Sequence, residues 1–167
     1  MKHLARLLSL AVLVSAAILL ANCGGDDGNE KTEEETQLDK LKGTWTLTES
    51  SVQFAGSGDD RFDGSALKLT FSGNYSAGGT YSYAVTSSKQ VTASPWPSGG
   101  SWKFGSPVTS SIVRLDKQLD GSDDVTITYA LSADAKTLTV QFTYAGAGYV
   151  VGRTESVEGA WEFVFTK

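Results

Sequence analysis

The chain has 167 residues, of which 19 are acidic and 14 basic, and its formal net charge at pH 7 is −5. An acidic chain without clustered lysine and arginine argues against nucleic-acid binding and against attraction to anionic lipids. The single histidine, His3, and the single cysteine, Cys23, lie near the N-terminus. The rest of the chain therefore lacks the residues for a Ser-His triad, a thiol nucleophile or a Cys/His zinc site. We expect a non-enzymatic protein with no metal and no cofactor.

Residues 1–22 are typical of a secretory signal peptide, because Lys2 and Arg6 precede a short apolar stretch. That stretch is shorter than the about 20 residues that a transmembrane helix needs. The residues that follow, Leu20-Ala21-Asn22-Cys23, resemble the lipobox of bacterial lipoproteins. The resemblance implies cleavage before Cys23, transfer of a diacylglyceryl group to its thiol, and acylation of the new N-terminus by a chain such as palmitate. The alternative is an ordinary secretory signal followed by a stray cysteine.

Residues 23–40 are predicted to form a lipidated, flexible tether. The segment from Gly24 to Gln37 carries six acidic residues and one lysine, with no aromatic or branched apolar residue. It therefore cannot bury enough surface to offset the entropy of ordering. A helical turn from Glu34 to Leu41 is an alternative for its last part. The acidic residues behind Cys23 resemble the export signal of Bacteroidetes-type surface lipoproteins, which implies anchoring in the outer membrane and display at the cell surface. A solvated spacer is the alternative.

Residues 41–167 alternate apolar and polar side chains with a period of two, which indicates half-buried β-strands with threonine on the wet face. Clusters of Gly, Asn, Asp and Ser separate the strands, and such short turns favour antiparallel pairing. The pattern predicts an all-β meander that closes into a barrel or splits into a sandwich. For the fifth strand, an alternative register places Ile112 inward. The eight predicted strands are centred on residues 45–47, 67–71, 81–85, 102–104, 113–115, 125–131, 138–144 and 161–165.

Gly43-Thr44-Trp45 resembles the Gly-x-Trp signature of lipocalins, and the last predicted strand, which contains Trp161, is similar to the closing strand of bacterial lipocalin-like domains. The resemblance covers residues 41–167 and implies an eight-stranded barrel. It also implies an arginine packed across the first-strand tryptophan. Arg153 and Arg114 are the candidates, and Arg153 is preferred because it precedes the last strand. Since the first and last strands of a closed meander pair, we expect Trp45 and Trp161 at opposite ends of the barrel.

The predicted inner face is rich in aromatic side chains, and small barrels are either filled by side chains or hold one small ligand. One hypothesis is a membrane-anchored, lipocalin-like domain that binds a small apolar or amphipathic ligand inside the barrel. The other is a structural or interaction module of the cell envelope with a filled core. Trp96, between two prolines, would either cap a barrel mouth or pack on the core. Two aspartate-rich loops, 59–63 and 116–124, are interpreted as solvated turns. The predicted ligand-lining residues are Tyr81, Tyr83, Trp102, Phe104, Tyr129 and Phe142.

Overall fold

One helix and ten strands account for the regular structure in the residues that the computed structural model describes, namely 30–89, 91, 93–116, 124–146 and 156–167. All these elements belong to one unit, Lys31–Lys167. The predicted signal peptide, Cys23 and Arg153 lie outside the described residues. The elements are α1 (Glu33–Leu41), β1 (Gly43–Leu47), β2 (Gln53–Phe54), β3 (Ser57–Gly58), β4 (Lys68–Ser72), β5 (Tyr81–Thr86), β6 (Gly99–Phe104), β7 (Ser111–Arg114), β8 (Val125–Leu131), β9 (Thr137–Tyr144) and β10 (Gly159–Thr166).

Eight of the strands close into a ring. Their order is β1-β4-β5-β6-β7-β8-β9-β10, and each strand is antiparallel to its neighbour. The ring closes where β10 pairs back with β1, through Thr46↔Thr166 and Leu47↔Phe165. This confirms the predicted eight-stranded antiparallel barrel and rules out the sandwich alternative.

The short hairpin β2–β3 lies outside the ring and was not predicted. β2 pairs with the first half of β10, through Trp161↔Phe54 and Glu162↔Gln53, while β1 pairs with the second half. β3 then pairs with β2. Two strands of two residues each are too short to show an alternating pattern, which is why the sequence gives no sign of them.

The inward and outward faces of the ring follow the predicted alternation. In β8 the residues alternate between buried and exposed from Val125 onward, and its threonines Thr126 and Thr128 face the solvent. In β7 the buried residues are Ile112 and Arg114. The register that places Val113 and Leu115 inward is therefore wrong, and the alternative with Ile112 inward is correct.

Helix α1 begins after Thr32, whose hydroxyl accepts a hydrogen bond from the backbone N–H of Glu35 at 3.1 Å. Leu38 and Leu41 are fully buried in the same core as the barrel residues. Residues 33–40 of the predicted tether are thus helical and packed, as in the alternative of a helical turn that reaches Leu41. Within the described ranges, no helix has the length and apolar character needed to cross a membrane.

Candidate functional site

Three of the predicted ligand-lining rings, those of Tyr81, Trp102 and Phe104, pack against one another inside the barrel. The ring centroid of Trp102 lies 4.9 Å from that of Tyr81, 5.0 Å from Phe104 and 5.3 Å from Phe71. Its Nε1 donates a hydrogen bond to the backbone oxygen of Ser82 at 3.2 Å. A side chain that bordered a ligand-sized void would expose surface to it, whereas Trp102 is 0% exposed. The rings of Tyr81, Trp102 and Phe104 therefore pack on one another in the part of the barrel that they were predicted to line.

The hydroxyls of three inward tyrosines, Tyr81, Tyr83 and Tyr129, have partners in the protein. Tyr81 donates to Glu34 of α1 at 3.0 Å, and Tyr129 donates to the backbone oxygen of Val108 at 2.5 Å. The hydroxyl of Tyr83 donates to the carboxylate of Asp116. Hydroxyl groups inside a barrel need such partners, and for these three tyrosines the two ends of the barrel supply them.

Burial raises the pKa of the phenol in Tyr83 and in Tyr129 above its ordinary value near 10. A raised folded-state pKa contributes stability that is fully present below pH about 10 and is lost as the pH rises above it. Each tyrosine that ionises only on unfolding lowers the free energy of unfolding by about 1.4 kcal/mol per pH unit in that range. We expect urea unfolding between pH about 9 and 11 to show this decline, with a shallower slope in Tyr83→Phe. Equal slopes in Tyr83→Phe and wild type would contradict the assignment.

At the end of the barrel where α1 packs, Trp45 is 0% exposed and its Nε1 donates to the backbone oxygen of Leu41 at 2.7 Å. The ammonium of Lys167 lies 4.6 Å from the centroid of its ring and donates to the backbone oxygen of Lys42 at 2.5 Å. Burial lowers the pKa of Lys167. Gly43 has a φ of +112°, and a Cβ there would lie 3.0 Å from Lys167 Cε. Among the described residues, Lys167 is the cation that lies over the first-strand tryptophan; the preferred candidate, Arg153, lies outside them and stays a prediction.

At the opposite end, Trp161 has an equivalent set of contacts. Its Nε1 donates to the backbone oxygen of Val157 at 2.8 Å, and the guanidinium of Arg61 lies 4.8 Å from its ring centroid. Lys167, beside Trp45 and directly after the last residue of β10, follows Trp161 by six positions, a distance of about 20 Å at the rise of a β-strand. The two tryptophans therefore lie toward different ends of the barrel.

Arg114 is the centre of a buried charged cluster at the Trp161 end. It is 1% exposed, and its Nη2 and Nε donate to Asp116 at 2.6 and 3.1 Å. Its Nη1 donates to the backbone oxygen of Pro95 at 3.1 Å, and its guanidinium lies 4.8 Å from the ring centroid of Trp96. Arg114, the second candidate to cover Trp45, therefore packs on a different tryptophan. The carboxylate of Asp116 favours the inward position of the Arg114 side chain, because it compensates the buried positive charge of the guanidinium.

The loop that carries Trp96 packs into the core. Ala93 is fully buried and Trp96 is nearly so, and the Trp96 ring centroid lies 5.1 Å from Phe142 and 5.6 Å from Phe163. Of the two predicted roles, packing on the core is therefore the one that the structure supports.

Two aspartates from the loops interpreted as solvated turns are instead paired and largely buried. The side chains of Asp59 and Asp116 are 11% and 15% exposed, and they form ion pairs with Arg61 and Arg114. Each pair has the spacing i, i+2, which places both side chains on one side of an extended chain. The i, i+2 spacing of an aspartate and an arginine is therefore a feature of the sequence that could have predicted both ion pairs. Among the described residues, no three His, Cys, Asp or Glu side chains are grouped so that they could hold a metal ion.

A groove of about 680 Å³ lies on the outer wall of the barrel, bordered by β2, β8, β9 and β10. Of the predicted ligand-lining residues, Phe142 is the one that borders this groove. The groove lining also includes polar residues that the alternating pattern places on the outer face of the barrel, such as Thr128 and Gln141. The sequence predicts their outward direction, but it does not predict that the wall is concave there.

The fold is that of an up-and-down antiparallel barrel of eight strands, with a core of buried side chains and one helix packed at one end. No protein-family model matches the chain, and no curated protein matches it significantly.

Proposed function

We propose that the protein is a lipid-anchored module of the bacterial cell envelope that contacts its partners with the outer surface of a filled barrel. The observation that carries the proposal is the packing of Trp102 against the rings of Tyr81, Phe104 and Phe71 at 4.9 to 5.3 Å. A barrel of this size is either filled or holds one ligand, and this packing favours the filled alternative. Binding of an apolar ligand inside the barrel would require these rings to separate.

The anchor in this proposal is Cys23. The lipobox-like Leu20-Ala21-Asn22-Cys23 supports a diacylglyceryl thioether on Cys23 and an acylated N-terminus. One acyl chain binds a membrane only reversibly, so two or three chains are needed for stable anchoring. The acidic segment behind Cys23 supports attachment to the outer membrane, with the domain displayed on the cell surface.

Mass spectrometry of the full chain, extracted in detergent from its source membrane, tests both parts of the proposal. Under denaturing conditions, we expect the mass of wild-type protein to include the lipid chains, and that of Cys23→Ser to lack them. Under native conditions, we expect wild type to carry no small molecule besides its covalent lipid. Equal covalent masses for the two proteins, after allowance for the substitution, would reject the anchor. A small apolar molecule that co-purifies with wild type would instead support the ligand-binding alternative.

A further inference from the structure

A row of polar side chains runs across the floor of the outer groove, at directly paired positions of four neighbouring strands. Glu162 of β10 is opposite Gln53 of β2 on one side and Gln141 of β9 on the other. Gln141 is in turn opposite Thr128 of β8. All four residues line the groove. Side chains at directly paired positions have Cβ atoms about 4.5–5.5 Å apart, so they form one continuous polar row.

The carboxylate of Glu162 is held at the centre of this row by amides on both sides. Gln53 Nε2 donates to Glu162 Oε1 at 3.4 Å, and Gln141 Nε2 donates to Glu162 Oε2. A carboxylate has about four lone-pair positions, and each glutamine amide has a second N–H and an acceptor oxygen. The row is therefore pre-oriented and retains capacity for further hydrogen bonds.

The chemistry of the groove lining distinguishes between classes of ligand. Thr126 and Thr143 add hydroxyls beside the row, and Asp124 adds a second carboxylate. The described residues that line the groove include no lysine, arginine or histidine, so an anionic ligand would meet repulsion without a counter-charge. A cationic ligand would offer donors to the carboxylates but no acceptor to the second N–H of each glutamine amide.

We propose that the groove binds a neutral oligosaccharide, with the carboxylate of Glu162 accepting hydrogen bonds from sugar hydroxyls. A sugar hydroxyl both donates and accepts, which matches a lining of hydroxyls, amides and carboxylates. This inference rests on the proposed function in one respect, namely that the outer surface rather than the interior carries recognition.

Isothermal titration of the full chain in detergent with maltohexaose, cellohexaose and xylohexaose tests the inference. We expect saturable binding of at least one of these sugars, and about tenfold or greater weakening in Glu162→Ala, because a hydrogen bond to a charged group is lost. Thr126→Val, which removes one groove hydroxyl with little change of shape, is expected to weaken binding about threefold to tenfold. Lys103→Gln is the matched control, because Lys103 is exposed on β6, in the wall opposite β10. It changes one outer-surface charge, and binding is expected to be unchanged.

Several results would overturn the inference. These are no binding of any of the three sugars, equal affinity in wild type and both groove variants, or selective binding of tetralysine or polygalacturonate in place of the neutral sugars. Circular dichroism of each variant verifies the fold before titration. Failure here is distinguishable from failure of the proposed function, which the covalent mass at Cys23 and the absence of a co-purifying apolar molecule decide separately.

Discussion

Asp116→Ala is expected to lower the free energy of unfolding by about 3–5 kcal/mol, because it removes the carboxylate that forms an ion pair with the buried guanidinium of Arg114. Arg114 is 1% exposed, and its two hydrogen bonds to Asp116 are 2.6 and 3.1 Å long. Removal of one partner from a buried ion pair costs more than the pair itself contributes, since the remaining charge keeps its desolvation penalty. The same substitution also removes the acceptor of the Tyr83 hydroxyl.

Urea unfolding at neutral pH measures this effect, and Asp39→Ala is its control. Asp39 pairs with Lys31, but both side chains are about half exposed, and exposed pairs contribute little. We expect Asp39→Ala to leave the urea midpoint nearly unchanged. The double variant Arg114→Met, Asp116→Ala should recover part of the loss, because it removes the buried guanidinium together with the carboxylate and keeps an apolar side chain of similar length. A midpoint for Asp116→Ala as high as that for Asp39→Ala would refute the buried ion pair.

Trp45→Ala and Trp161→Ala are each expected to lower the free energy of unfolding by about 3–5 kcal/mol, the range for truncation of a buried tryptophan. Trp45 and Trp161 are 0% and 2% exposed. Each indole donates a hydrogen bond to a backbone oxygen four residues earlier, and each has a cation over its ring, Lys167 or Arg61. Truncation removes the ring, its hydrogen bond and the cation contact together, and it leaves a cavity at one end of the core.

Trp45→Phe and Trp161→Phe are the matched variants, since they keep an aromatic ring under the cation. Loss of the indole N–H bond alone should cost about 1 kcal/mol, so the phenylalanine variants should unfold at clearly higher urea concentration than the alanine variants. The denaturant slope should be similar in all four proteins, because the surface exposed on unfolding changes little. Urea midpoints for the alanine variants close to that of wild type would show that these indoles do not stabilise the ends of the barrel.

The strands of the ring were predictable because each has one wet face and one buried face. In β8, for example, Val125, Ile127 and Tyr129 are buried and Thr126 and Thr128 are exposed, so the period of two is unbroken. Antiparallel pairing follows from short turns. Closure of the ring was predicted only with the help of the lipocalin resemblance, since an alternating pattern is equally compatible with a sandwich.

Helix α1 was less predictable because only Leu38 and Leu41 bring apolar surface to the core, too few for a helical period. Its acidic first turn also has the composition of a tether. The capping pattern of Thr32 followed by Glu35 is a specific sequence signal for its start. Together with the pair Leu38 and Leu41, that pattern would have placed the helix.

Which residues meet at the candidate sites depends on contacts between positions that are distant in the sequence, so the sequence alone could not predict it. Trp96 lies between two prolines in a loop and packs on Arg114 and Phe142. These contacts follow from the path of the loop, and no periodic pattern in the sequence predicts that path. The concave outer wall depends on how β2 continues alongside β10 after β1. The direction of Glu162 was predictable from the alternation, but its position between Gln53 and Gln141 requires the register of three strands.

Closure of the ring through Thr46↔Thr166 also has a kinetic consequence. These partners are separated by about 120 residues along the chain, and contacts so distant in sequence slow the folding of β proteins to milliseconds or seconds. Until β10 is in place, β1 and β9 each have an unpaired edge that is open to pairing with another chain. The last strand therefore converts an aggregation-prone open sheet into a structure whose ring has no free edge.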